Sequence, residues 1–259
     1  MRFLPCFVLA ALTAVVIRAE IPPLLDDAWI KYVGDIDYWA YTETVRALDE
    51  KGQVTRETAT RYDPSKPYAE QFTVLSHTGK QSIEVMQKWA RQRGIDRGNK
   101  LERPGGVESD ALPRVVLMGS RALADLEHAT VVEENEQSIT YLIPLHPEDG
   151  KASMVEKFET RVRVSKTLRA FERVDISLSK PVRVKVVAKI NKIALSIDFA
   201  TIDPAFGPAA TIFKDHATIS AFFKKREGGH ESVRSDFKRV KPYRERFSVE
   251  IGPSRTIDF

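Results

Sequence analysis

The chain has 259 residues, with 40 Lys and Arg against 36 Asp and Glu for a formal net charge of +4, and one cysteine. So even a mixture of charges excludes nucleic-acid binding by bulk electrostatics, and the lone Cys6 excludes an intrachain disulfide framework. The length suffices for one large β domain with a core of its own.

Residues 1–19 read as a secretory signal peptide: Arg2 precedes an apolar run from Phe3 to Ile17, and Ala19 stands before the acidic Glu20. The run is 15 residues long, short of the ~20 that a membrane-spanning helix needs. An uncleaved N-terminal anchor is the alternative. Cys6 comes before most of the apolar run, which excludes it as a lipoprotein cysteine. Cleavage removes Arg2, Arg18 and no acid, leaving 38 basic and 36 acidic residues, a net +2, and no cysteine. The expectation is a periplasmic protein in which 20–259 form a single domain, its core at about 35–240.

Asp26 to Val33 predicts a short helix capped by Asp26, with Trp29 and Val33 on one side. Trp39 to Ala47 alternates as a strand, with Trp39, Tyr41, Glu43 and Val45 on one face. Asp49 to Gln53, with Gly52, predicts a hairpin turn, and Val54 to Tyr62 is the returning strand. Asp63-Pro64-Ser65-Lys66-Pro67 breaks the sheet before a third strand, Gln71 to Ser76. From Ser82 to Arg93 the period changes. Ile83, Met86, Trp89 and Ala90 recur at helical spacing between a Ser82 cap and a Gly94 stop, predicting an amphipathic helix whose apolar stripe lies on a sheet face as a lid. Gly94 to Asp110 reads as a connection. The basic cluster Lys88, Arg91, Arg93, Arg97, Lys100 and Arg103 suits either a solvated face or peripheral contact with acidic phospholipid headgroups.

Val115 to Leu126 is ambiguous, with Leu123 and Leu126 suggesting a short helix. Thr130 to Glu134 and Ser138 to Leu145 predict a hairpin. The clearest stretch is Phe158 to Ile202. Phe158, Thr160, Val162 and Val164 oppose Glu159, Arg161, Arg163 and Ser165, then Val174, Ile176 and Leu178 oppose Arg173, Asp175 and Ser177, and finally Ile193, Leu195, Ile197 and Phe199 oppose Ala194, Ser196, Asp198 and Ala200. Val182 to Ile190, rich in β-branched residues, reads as a strand with a register change near Lys189. Ala209 to His216, Ile219 to Lys225 and, after a turn at Gly228-Gly229, Val233 to Val240 close the set. The fold class expected is mainly β with minor α: a curved antiparallel sheet of about ten strands forming an incomplete, half-open barrel with a helical lid.

The opening Trp39-Ala40-Tyr41, then Arg61-Tyr62-Asp63-Pro64, Phe72-Thr73-Val74-Leu75-Ser76 before a helix, and the closing Ser235-Asp236-Phe237-Lys238-Arg239-Val240, all behind a signal peptide, resemble the LolA/LolB-like superfamily over about residues 35–240. The resemblance implies an incomplete antiparallel barrel with helices across its mouth. It also implies a carrier or sensor of lipid or lipoprotein acyl chains in the bacterial envelope. The family's ligand-gating arginine and membrane-inserting loop match no position here.

His77, His128, His146, His216 and His230 are scattered singly, without metal-site spacing. No Gly-x-Ser-x-Gly elbow, phosphate-cradling loop or nucleophilic cysteine is present, so neither catalytic residues nor a cofactor are expected. The candidate cavity residues are aromatic: Trp39, Tyr41, Phe72, Phe158, Phe199, Phe222 and Phe237 on predicted inward faces, with Met86 and Trp89 on the lid. Two fillings are open at this point. The aromatics either leave an apolar cavity for acyl chains or fill the barrel, in which case a sheet edge or the Gly94 to Asp110 segment docks an envelope protein partner.

Overall fold

The computed structural model describes residues 20–102, 114–117, 120–147, 154–184, 188–221 and 224–247. The signal-peptide call, Arg103 and Phe222 lie outside the described residues.

Helix α1 (Pro23–Asp35) leads through a 3-10 turn (Ile36–Tyr38) into three antiparallel strands, β1 (Trp39–Leu48), β2 (Val54–Tyr62) and β3 (Phe72–Thr78). The β1–β2 turn forms as expected. Gly52 has a positive φ, and Asp49 Oδ1 accepts hydrogen bonds from the backbone N–H groups of Lys51 and Gln53. Helix α2 (Ile83–Leu101) follows. A small sheet of β4 (Arg114–Leu117), β5 (Ser120–Ala124) and β8 (Leu145–Pro147) stands apart, so the short helix expected before His128 is a strand pair instead. The remaining strands are β6 (Thr130–Glu134), β7 (Ser138–Ile143), β9 (Phe158–Ser165), β10 (Ala170–Leu178), β11 (Val182–Val184), β12 (Ala188–Ala200), β13 (Ala209–Ala221) and β14 (Lys224–Arg239).

The main sheet runs β3-β2-β1-β14-β13-β12-β10-β9-β7-β6, with β11 paired to β12. Its two ends do not meet, so the barrel is incomplete. β14, the last described strand, lies between β13 and β1 and joins the first three strands to the rest.

Residues directly opposite in a ladder share a face. One row runs Val45–Ser232–Phe213–Ile197–Val174–Val162–Tyr141 across seven strands, and Tyr41–Tyr62–Phe72 and Glu43–Arg234 belong to the same face. The opposite face carries Arg46, Glu57, Glu231 and Lys214, Arg173 and Asp198, and Arg163, joined in surface ion pairs. The predicted one-sided alternation of β9 is seen directly: Phe158, Thr160, Val162 and Val164 are buried while Arg161 and Arg163 are exposed.

Both helices lie on the apolar face. α1 covers the β9–β10–β12 end, with Leu25 and Ala28 wholly buried and Trp29 and Tyr32 packed on Phe171 and Phe199. Burying a leucine contributes about 1.5–3 kcal/mol. α2 covers the β1–β3 end, but not by the stripe expected of it. Trp89 is 57% exposed and Ile83 43% exposed, and Met86 is half-buried. Gly94 and Gly98, its buried residues, rest on Tyr68 of the preceding 3-10 turn (Tyr68–Glu70), where a Cβ on Gly94 would overlap the Tyr68 carbonyl oxygen. Gly94 therefore serves close approach, and the helix continues past it to Leu101.

Two more readings change. Val182 to Ile190 is not one strand: Val182 pairs with Ile190 and Val184 with Ala188, so the chain reverses. Gly228 and Gly229 lie within β14, opposite Ala217 and His216, and a Cβ on Gly229 would overlap the Asp215 carbonyl. They allow backbone approach and make no turn.

Candidate functional site

The sheet gathers most of the candidate aromatics on one face, but in two groups. Phe158 and Phe199 belong to the packed core under α1. Trp39, Tyr41, Phe72 and Phe237 form the second group with Tyr62 and Phe206. In it Tyr62 stacks between Tyr41 at 5.1 Å and Phe72 at 4.8 Å, and Trp39 stands edge-on to both Phe206 and Phe237. Met86 and Trp89 belong to neither group.

Arginines cover this second group. The Arg93 guanidinium lies 4.3 Å from the Phe72 ring centroid, Arg97 5.8 Å from Tyr62, Arg234 4.4 Å from Tyr41, and Arg239 3.5 Å from Phe206. Cation–π contacts of this kind contribute about 0.5–2 kcal/mol each, more when desolvated. Each guanidinium also has an acid. Arg234 donates to Glu43 at 3.0 Å, Arg93 approaches the same carboxylate at 3.8 Å, Arg239 holds Asp35 at 2.6 Å, and Asp37 is buried between Arg97 and Arg244. Burial raises the phenol pKa values of Tyr41 and Tyr62, against the neighbouring arginines that lower them, so both stay protonated and neutral at physiological pH.

Of the basic cluster, then, two members turn inward. Arg93 and Arg97 reach the sheet, because positions four apart on α2 fall on one flank. The i, i+4 spacing of arginines against a strand bearing Tyr41 and Glu43 was the available signal for them.

Along that flank a groove of about 570 Å³ is lined by Phe72, Trp89, Gln92, Arg93, Asp96, Arg97, Lys100 and Leu101. A second groove, of about 750 Å³, lies on the other side of α2 against β3 and includes Ile83, Gln87, Lys88, Arg91 and, again, Phe72. Two predicted site residues, Phe72 and Trp89, thus share one groove, with Phe72 on the sheet and Trp89 on the helix.

The histidines are less isolated than their spacing suggested. Asp125 Oδ2 is hydrogen-bonded to His128 Nδ1 at 2.8 Å and to His146 Nε2 at 3.0 Å, and His77 meets the Thr58 hydroxyl at 2.8 Å. Burial acts most strongly on the Asp125 carboxyl and pushes its pKa up, yet the hydrogen bonds from the two histidines outweigh it and leave the pKa below the ordinary aspartate value. No set of three or more metal-ligating side chains converges among the described residues.

No family model, curated protein or solved structure matches the chain.

Proposed function

We propose that the protein is an exported envelope protein that binds an apolar ligand, such as a lipid or lipoprotein acyl chain, as carrier or sensor. The exposed Trp89 carries this reading. A tryptophan left 57% exposed beside a groove whose other wall holds the buried ring of Phe72 is apolar area that water disfavours and a ligand covers. The leader-like residues 1–19 support export, and the resemblance to the LolA/LolB-like superfamily supports an acyl ligand. Its place is the flank of α2, since the sheet face under α1 is filled by Leu25, Ala28, Trp29 and Tyr32.

That filled end favours a second reading, an envelope interaction module with a packed barrel and no ligand. Titration with the uncharged apolar probe N-phenyl-1-naphthylamine separates the two. Trp89→Ala is expected to weaken probe binding at least fivefold while changing the unfolding free energy from denaturant titration by no more than about 0.5 kcal/mol, as for other exposed side chains. A wild type that binds no probe supports the packed module and ends the ligand reading.

A further inference from the structure

We infer that the ligand of the α2 groove is an amphiphile with an anionic headgroup, phosphate or carboxylate, and that the headgroup sits at the Lys100 end. This rests on the groove being the ligand site. Trp89, Arg93, Arg97 and Lys100 follow one flank of α2, because steps of four, four and three residues return to nearly the same side of a helix. The flank extends about 16 Å from Trp89 to Lys100 at 1.5 Å per residue. Its two ends differ. The Trp89 end offers an indole, the Phe72 ring lies across the groove under Arg93, and the far end offers the Lys100 ammonium.

The charges along the lining do not cancel. Arg93, Arg97 and Lys100 stand against Asp96 alone, and the Asp96 carboxylate already accepts a hydrogen bond from Gln92 Nε2 at 2.9 Å. Arg93 and Arg97 are engaged on their sheet side by Glu43 and Asp37, but each of these carboxylates is shared with a second arginine, Arg234 and Arg244, so a positive excess remains. Lys100 has no ion pair among the described residues, so it is the cation available to a headgroup. A long apolar chain laid from Trp89 toward Lys100 places its polar end against this excess positive charge. A cationic headgroup would meet like charge there, and a neutral one would gain nothing from it.

The test is displacement of N-phenyl-1-naphthylamine from the full protein by ligands of one chain length: dodecyl phosphate, dodecanoate, dodecyl maltoside and dodecyltrimethylammonium, each kept below its micelle concentration, with inorganic phosphate alone beside them. The two anions are expected to bind at least tenfold tighter than the maltoside, with the margin falling as salt is raised. Lys100→Gln should shrink that margin, and Asp96→Asn should widen it. Comparing the phosphate with the carboxylate assigns the source. Equal affinity for all headgroups, or an unchanged margin in Lys100→Gln, overturns the headgroup and leaves the apolar site standing. Displacement by inorganic phosphate alone overturns it in favour of a free-anion site. If the probe does not bind at all, the site itself is refuted.

Discussion

Glycine at Gly94 and glycine at Gly34 occupy helices for different reasons, and the difference can be measured. An added methyl group at Gly94 meets the Tyr68 carbonyl oxygen, whereas at Gly34, near the end of α1, it meets nothing within 4 Å. Gly94→Ala should therefore destabilise the protein by about 1–3 kcal/mol, the usual range for overpacking. Gly34→Ala should stabilise it by up to about 1 kcal/mol, since alanine loses less backbone entropy in a helix. Urea midpoints of the two variants check both signs, and a neutral Gly94→Ala would mean that α2 can withdraw from Tyr68. The same residue marks a limit of the sequence. Gly94 reads as a helix stop because local pattern carries no information about Tyr68, 26 positions earlier, on whose backbone the helix rests. The arginines were hidden in a similar way, as Arg93 and Lys88 look alike in a basic run and only the tertiary fold turns one of them onto Phe72.

Strands were the most legible elements, because a sheet wet on one side imposes a period of two that survives in the sequence, as in Phe158 to Val164. Reversals without turn residues were not legible, which is why β11 and the first residues of β12, Val182 to Ile190, looked like one strand. The cover was not legible either. α2 packs through glycines and arginines instead of an apolar stripe, while α1 makes its apolar contact with only a few side chains. The two free edges of the main sheet are protected by opposite means. At β3 the side-chain amide of Gln87 acts as a missing strand: its Oε1 accepts from the Val74 N–H at 2.7 Å, and its Nε2 donates to the Phe72 carbonyl at 3.0 Å. At β6 the register against β7 slips at Val132, and Glu133 and Glu134 bring charge that Arg163 and Lys166 balance from β9 and the turn after it. Gln87→Leu should cost about 1–3 kcal/mol, because two backbone groups lose their partners. It should also speed amide exchange at Val74 with no change at Tyr141. Unaltered protection at Val74 would show that the Gln87 amide is not what shields that N–H.

At the scale of the molecule, β14 decides whether there is one sheet or two fragments. Among the described residues, β1 to β3 pair with the other strands only through it, along the Trp39–Arg239 to Leu48–Gly229 ladder. A chain ended after Ala221 should keep slow amide exchange in β9 and β10 and lose it in β1 and β2, and hydrogen-exchange mass spectrometry would show this. Retained protection in β1 would mean that the first three strands and α2 stand as a unit by themselves. The position of β14 also orders events in time. During synthesis the N-terminal strands emerge first and stay without their partner until residues 224–239 follow them, many seconds later at about 5–20 residues per second. For the exported protein proposed above, that delay keeps the nascent chain threadable. Until residues 224–239 have been made, β1 to β3 cannot join the other strands, so the sheet is completed only when its last described strand arrives.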